Sequence, residues 1–269
     1  MPRIGTGLGL GLFRAAAGGS AFDADAQAFF DRVTTAGGSL TTTEKNATNQ
    51  LVLDMKTAGI WSSMKAVYPM VGASASACAQ NLKSSSFTGT FTSGWTFAST
   101  GVTGNGTSAY FNTTYNPNTS GVLNDEHISV YLRTNIQQTS VDMGAYDGTS
   151  ETAIYARFSL DRVFCCINSG AVPPITTTTN SSAFYLTIRN SSTNENSFIN
   201  STKYTRTITS ISKVNRVLYV GAQNNVGAAG AYSTRQNAFT SIGDSLTDTQ
   251  ASNFYTAVQA FQTTLSRQV

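Results

Sequence analysis

His127-Ile128-Ser129-Val130-Tyr131-Leu132-Arg133 places Ile128, Val130 and Leu132 on one side of an extended chain and Ser129, Tyr131 and Arg133 on the other. A period of two marks a strand, and an apolar side opposite a hydroxyl-bearing side predicts a sheet with one buried face. The same period recurs from about residue 85 to residue 245, in stretches 87–97, 109–115, 152–158, 162–167, 184–189, 197–204, 217–223 and 238–242. Turn residues separate them, as in Gly101-Val102-Thr103-Gly104-Asn105-Gly106, which reads as a linker. About nine strands without helical patterns between them argue for an antiparallel sandwich and against a βαβ fold.

Helical patterns flank this region. Phe22, Ala26, Phe29, Phe30 and Val33 recur at helical spacing until Gly37-Gly38. Thr41 with Glu44 forms a capping box for a second helix, striped by Leu51, Val52, Met55 and Ala58 and stopped at Gly59. Trp61, Met64, Val67 and Tyr68 then read as the buried joint between this helical hairpin and the strand-rich region. Thr247-Asp248-Thr249-Gln250 opens a closing helix whose stripe is Phe254, Ala257, Val258, Phe261 and Leu265. The expected organisation is an anchoring arm over 1–20, a helical lead-in over 21–75, and a sandwich with its closing helix over 76–269.

Charged residues make up 12% of the 269, against roughly 25% in an ordinary soluble domain. Thr, Ser, Asn and Gly take their place, so the solvated surface is neutral and rich in hydroxyls. The net charge of +3 is spread evenly, with no Lys/Arg cluster interleaved with aromatic residues, which argues against a nucleic-acid groove. No apolar run is long enough to span a bilayer. Cys165 and Cys166 are adjacent and Cys78 stands apart, so the cysteines read as small apolar fillers and not as a disulfide framework. In the arm, Gly5, Gly7, Gly9 and Gly11 would make a poor signal helix, and such a segment needs a partner to order it. Contacts with other proteins and self-association are therefore expected.

Gly243-Asp244-Ser245-Leu246 spells an esterase motif, yet His127, the one histidine, lies upstream of it. A serine without a base to take its proton is a poor nucleophile, so the motif reads as a strand end and helix start. Glu44, Glu126, Glu151 and Glu195 lack the spacing of a glycosidase carboxylate pair. The chain is expected not to be an enzyme, and a GDSL-like esterase is the alternative. Asp142 and Asp147 flank Met143-Gly144-Ala145-Tyr146 and nominate a calcium site, with a polar hairpin turn as the other reading. No other cofactor is expected, and a lone histidine does not make a zinc site. Tyr110, Tyr115, Tyr146 and Tyr232 lie near Asn- and Gly-rich turns and nominate a sugar-stacking platform, with ordinary sheet packing as the alternative.

Two stretches carry a family resemblance. Ala238-Phe239-Thr240-Ser241-Ile242-Gly243-Asp244-Ser245-Leu246-Thr247-Asp248-Thr249-Gln250, continuing to Asn253-Phe254-Tyr255, resembles the closing strand, turn and helix of concanavalin A-like or laminin G-like jelly rolls. Phe22-Asp23-Ala24-Asp25-Ala26-Gln27-Ala28-Phe29, with Gly59-Ile60-Trp61-Ser62, Met64-Lys65-Ala66 and Tyr68-Pro69-Met70-Val71-Gly72, is similar to the helical lead-in of bacteriophage virion proteins that carry such a jelly roll. The chain departs from that pattern where Asn81-Leu82-Lys83 runs into Ser84-Ser85-Ser86. The resemblance implies a mostly β, lectin-like jelly roll and a virion location, and it brings no catalytic residues. The function so implied is a head or tail fibre, decoration or receptor-binding component that binds host surface glycans. A purely architectural capsid or tail protein is the alternative.

Overall fold

A computed structural model describes residues 22–269, so the arm expected over 1–20 lies outside the described residues. Two sheets face each other. The eight-stranded sheet runs in the order Thr202–Thr207, Asn194–Ile199, Ala183–Arg189, Glu126–Leu132, Asn237–Gly243, Gly101–Gly104 and Trp95–Ala98, with Met64–Tyr68 also on Asn237–Gly243. Its pairings are antiparallel. The nine-stranded sheet runs Thr176–Thr177, Arg162–Ser169, Glu151–Tyr155, Met143–Tyr146, Tyr219–Val220, Phe111–Asn112 and Thr90–Phe91, with Gln223–Asn225 and Ala228–Gly230 attached beside Met143–Tyr146. The chain is a mostly β sandwich with helices at both of its flanks, as expected.

Ile128, Val130, Leu132, Tyr185 and Ile242 of the first sheet interleave with Met143, Ala145, Ile154, Val163 and Cys165 of the second to form the inter-sheet core. The opposite side of the first sheet was expected to be solvated and is not. Glu126–Leu132 is buried along its whole length. Tyr131, Phe184, Leu186 and Phe239 point away from the sandwich into a second core. That core is completed by Phe29, Phe30 and Val33 of the helix Ala24–Thr35, by Leu51, Val52 and Met55 of the helix Thr42–Thr57, and by Phe254, Val258 and Phe261 of the closing helix Asp248–Thr264. A fully buried side chain of this size contributes about 1.5–3 kcal/mol, which makes the helical layer integral to the first sheet. Polar letters on that side survive burial because they pair with one another. Ser129 Oγ lies 2.6 Å from Ser241 Oγ, and Ser241 Oγ lies 3.1 Å from His127 Nε2.

Both capping boxes form, at Thr41 with Glu44 and at Thr247 with Gln250. The lead-in is less separate than its composition suggests. Met64–Tyr68, read as a joint, is a strand paired with Asn237–Gly243, so a boundary at residue 75 cuts through the sheet. The linker 101–104 is a strand as well, paired with Trp95–Ala98, and the stretch 197–204 is two strands turning at Asn200-Ser201. Asn200 adopts φ 53° there and its side chain accepts the Phe184 amide at 2.9 Å. None of the described helices is long and apolar enough to cross a membrane.

Candidate functional site

The helices cover the outward side of the first sheet. The outward side of the second sheet carries side chains of a different kind. Since Met143, Ala145, Ile154, Val163 and Cys165 point inward, strand alternation turns Tyr146, Tyr155 and Phe164 outward. Tyr155, Phe158 and Phe164 meet edge to face with centroids 5.6–5.9 Å apart, and all three are half-buried. With Val172 they line a hollow of about 210 Å³. The Tyr155 hydroxyl donates to Glu151, and Gln223 Nε2 donates to the same carboxylate at 2.5 Å and to Tyr155 Oη at 3.1 Å. Burial pushes the Glu151 carboxyl above its usual range against the pull of these two donors.

A polar groove of about 660 Å³ adjoins the hollow, since it begins at Ser159, next in the chain to Phe158. Gln137, Gln138, Thr139, Ser140, Tyr232 and Thr234 line it. Beneath it, the buried Arg235 guanidinium donates to both carboxylate oxygens of Asp142 at 2.8 and 3.0 Å and to the carbonyls of Ile136 and Arg157. This pair fixes the loops 133–141 and 231–236 to each other, so the groove is preshaped by a network whose donors are spent. Neutral amides and hydroxyls remain on the wall, the functional groups that pair with sugar hydroxyls.

The residues nominated from sequence separate. Tyr232 lines the groove, half-buried, its hydroxyl on the carbonyl of Ala229 at 3.0 Å. Tyr146 is half-buried on the outward side of the second sheet. Tyr110 is half-buried too, but its ring is stacked on Tyr219 at 4.3 Å. Tyr115 is fully buried, donates to Glu126 Oε1 at 2.9 Å and has no ring face toward solvent, so it belongs to packing. Asp142 and Asp147 do not converge as calcium ligands. Asp142 is spent on Arg235, while Asp147 accepts the amides of Thr149, Ser150 and Asn215 at 2.8–2.9 Å, which is the polar-turn reading. Burial raises the Asp147 carboxyl, those amides outweigh it, and the net shift is downward. Among the described residues no cluster of three or more His, Cys, Asp or Glu could hold a metal. Tyr155, Phe158 and Phe164 were inside expected strands and were not singled out, because alternation alone does not say which sheet face a helix will cover.

The four letters of the esterase motif each have a structural task. A Cβ on Gly243 would lie 2.2 Å from the Ser63 carbonyl and 2.6 Å from His127 Cε1, so the position admits only glycine. Asp244 pairs with Lys65, and its carbonyl accepts His127 Nδ1–H at 2.6 Å. That acceptor fixes the tautomer, leaving Nε2 to accept from Ser241. Ser245 donates instead to Asp125 Oδ1 at 2.6 Å, and Leu246 is buried in the helical core. Burial pushes the His127 imidazole down to about 4. Both its nitrogens are occupied and neither reaches Ser245.

No family model matches the chain, and no curated protein matches it. Solved structures share its fold at low identity. Domain 4 of a GH43 extracellular arabinanase from Geobacillus stearothermophilus, in complex with arabinotriose, is 11% identical at a TM-score of 0.53, over 71% of this chain and 98% of that one. A mutant of Trypanosoma rangeli sialidase displaying trans-sialidase activity is 8% identical at a TM-score of 0.54, over 79% of this chain and 39% of that one. At such identities the likeness establishes a β-sandwich jelly roll and no shared chemistry.

Proposed function

We propose that this chain is a non-enzymatic structural component of a bacteriophage virion, held to the particle by residues 1–20, that binds glycans of the host surface on the outward side of its nine-stranded sheet. One observation carries the binding reading: Tyr155, Phe158 and Phe164 stand half-buried beside Glu151 and Gln223 on the sheet side that, among the described residues, none of the three long helices covers. Rings of this kind stack on sugar faces, while the carboxylate and amide accept and donate to hydroxyls. An arabinanase domain of the same fold, solved with arabinotriose, supports the reading. The virion location rests on the resemblance of the lead-in and closing segment, and self-association on the glycine-alternating arm. The non-enzymatic reading is supported by the tie of Ser245 to Asp125 and not to His127.

The test is an array of bacterial surface polysaccharides probed with the full chain. Binding that falls about tenfold or more in Tyr155→Ala and Phe164→Ala, with melting little changed, is the expected result for stacking contacts. Absence of binding to any polysaccharide returns the chain to the purely architectural alternative.

A further inference from the structure

Resting on the glycan-binding reading, we infer that Arg162 is the specificity-determining residue of the outward face, and that the glycan it selects carries an anionic group, a carboxylate or a sulfate. Arg162 is half-buried, its guanidinium centred 5.5 Å above the Phe164 ring. Among the described residues its side chain donates to Ser159 alone, Nε to the carbonyl at 3.2 Å and Nη2 to Oγ at 3.4 Å. Arg157, Arg206 and Arg235, around the same strands, each hold a carboxylate, of Asp161, Glu195 and Asp142 respectively. Among the described residues Arg162 holds none. A guanidinium has five N–H donors in a rigid fork, and here it stands within cation–π range of Phe164 with most of those donors unspent among the described residues.

Position adds to chemistry. Arg162 follows the single 3-10 turn Ser159–Asp161, which leads on from Phe158 of the aromatic hollow and whose Ser159 lines the polar groove. A sugar seated in the hollow of Tyr155, Phe158 and Phe164 therefore brings a ring substituent toward the guanidinium. Two carboxylates lie along the face. Asp161 is held by Arg157 and Gln137, and Glu151, in register with Ser169 at the other end of the strand Arg162–Ser169, accepts the Tyr155 hydroxyl. Neither pairs with Arg162, so an anionic group of the glycan is drawn to that guanidinium.

The experiment is titration calorimetry of the full chain with oligosaccharides of equal length, one neutral, one carboxylated and one sulfated, against wild type, Arg162→Gln and Arg162→Lys. Wild type should bind at least one acidic form about tenfold tighter than the neutral one, as expected of a charge-assisted pair. Added salt should shrink that preference. R162Q should erase it and leave neutral binding in place, and R162K should retain part of it, since lysine keeps the charge without the fork. Equal wild-type affinity for all three, tighter binding of the neutral form, or an R162Q loss equal for neutral and acidic forms would overturn the role of Arg162 while leaving the glycan reading intact. Failure of wild type to bind any of the three counts against the glycan reading itself, and the role of Arg162 falls with it.

Discussion

The two outward sheet faces of this molecule are built from the same period-two sequence and end in opposite conditions. On the first sheet, Tyr131, Phe184 and Phe239 meet the closing helix, and Phe254 packs edge-on to Phe184 at 5.5 Å and to Phe239 at 5.9 Å. On the second, Tyr155, Phe158 and Phe164 pack on one another and still border a hollow. Aromatic content is similar on both. The difference lies in what the described residues supply to cover them: three amphipathic helices for one, and for the other the Val172 loop and a rim of amides and hydroxyls. Covered rings hold the fold together, and uncovered rings are available to a ligand.

The sharpest way to break this comparison is to remove a ring from each face. Phe254→Ala, in the covered layer, should cost about 3–5 kcal/mol in urea denaturation, since the site is fully enclosed and cannot collapse. A loss below about 1 kcal/mol would mean that the helical layer is not the support we describe. The next effect is on pH. His127 has a folded value of about 4 against 6.5, so the unfolded chain takes up the proton first and stability falls as pH drops from about 6.5 toward 4. Glu126 runs the other way: burial raises it to about 7 against 4.5, the folded chain holds its proton longer, and stability falls as pH rises from about 4.5 to 7. Each has a slope of up to about 1.4 kcal/mol per pH unit, and between pH 4.5 and 6.5 they oppose. Wild type should therefore lose less stability across that window than His127→Asn, which should fall more steeply as pH is raised. A flat His127→Asn profile would remove Glu126 from the account. Tyr155→Ala on the uncovered face should change stability by about 1 kcal/mol, with its main effect on glycan affinity. Ser245→Ala removes a hydrogen bond to a carboxylate that is worth about 1.5 kcal/mol of stability, and its effect on ester hydrolysis is the smallest expected of all, with any such rate left where it started.

Much of the first face was legible in the letters. Capping boxes at Thr41 and Thr247 and the stripes through Phe29, Leu51 and Phe254 are local patterns, and local patterns survive folding. Sequence patterns mislead where the partner is distant. Ser129 and Tyr131 look like solvent-facing residues because their alternation with Ile128 and Val130 is clean, yet Ser241 pairs with the first and Gln259 of the closing helix with the second, each more than a hundred residues on. For the same reason Met64–Tyr68 passed as a joint, since nothing near it in sequence reveals that Asn237–Gly243 will lie alongside. The candidate site was half legible. Tyr146 and Tyr232 were named, Tyr110 proved to be stacked and Tyr115 to be enclosed, and Arg162 carried no local mark, because its distinction is the absence of a carboxylate that its arginine neighbours possess.

Asn237–Gly243 sits between Glu126–Leu132 and Met64–Tyr68, and Arg267 closes on the carbonyl of Pro69 across 198 residues of chain. On the ribosome, the early helices and their strand must therefore wait for residues 237–267 to emerge before their apolar sides can be shielded. Contacts of such sequence separation make for slow folding and a long interval of exposure to aggregation. Loss of the stretch from Asn237 through Thr264 would remove the keystone of one sheet together with the helix that covers it.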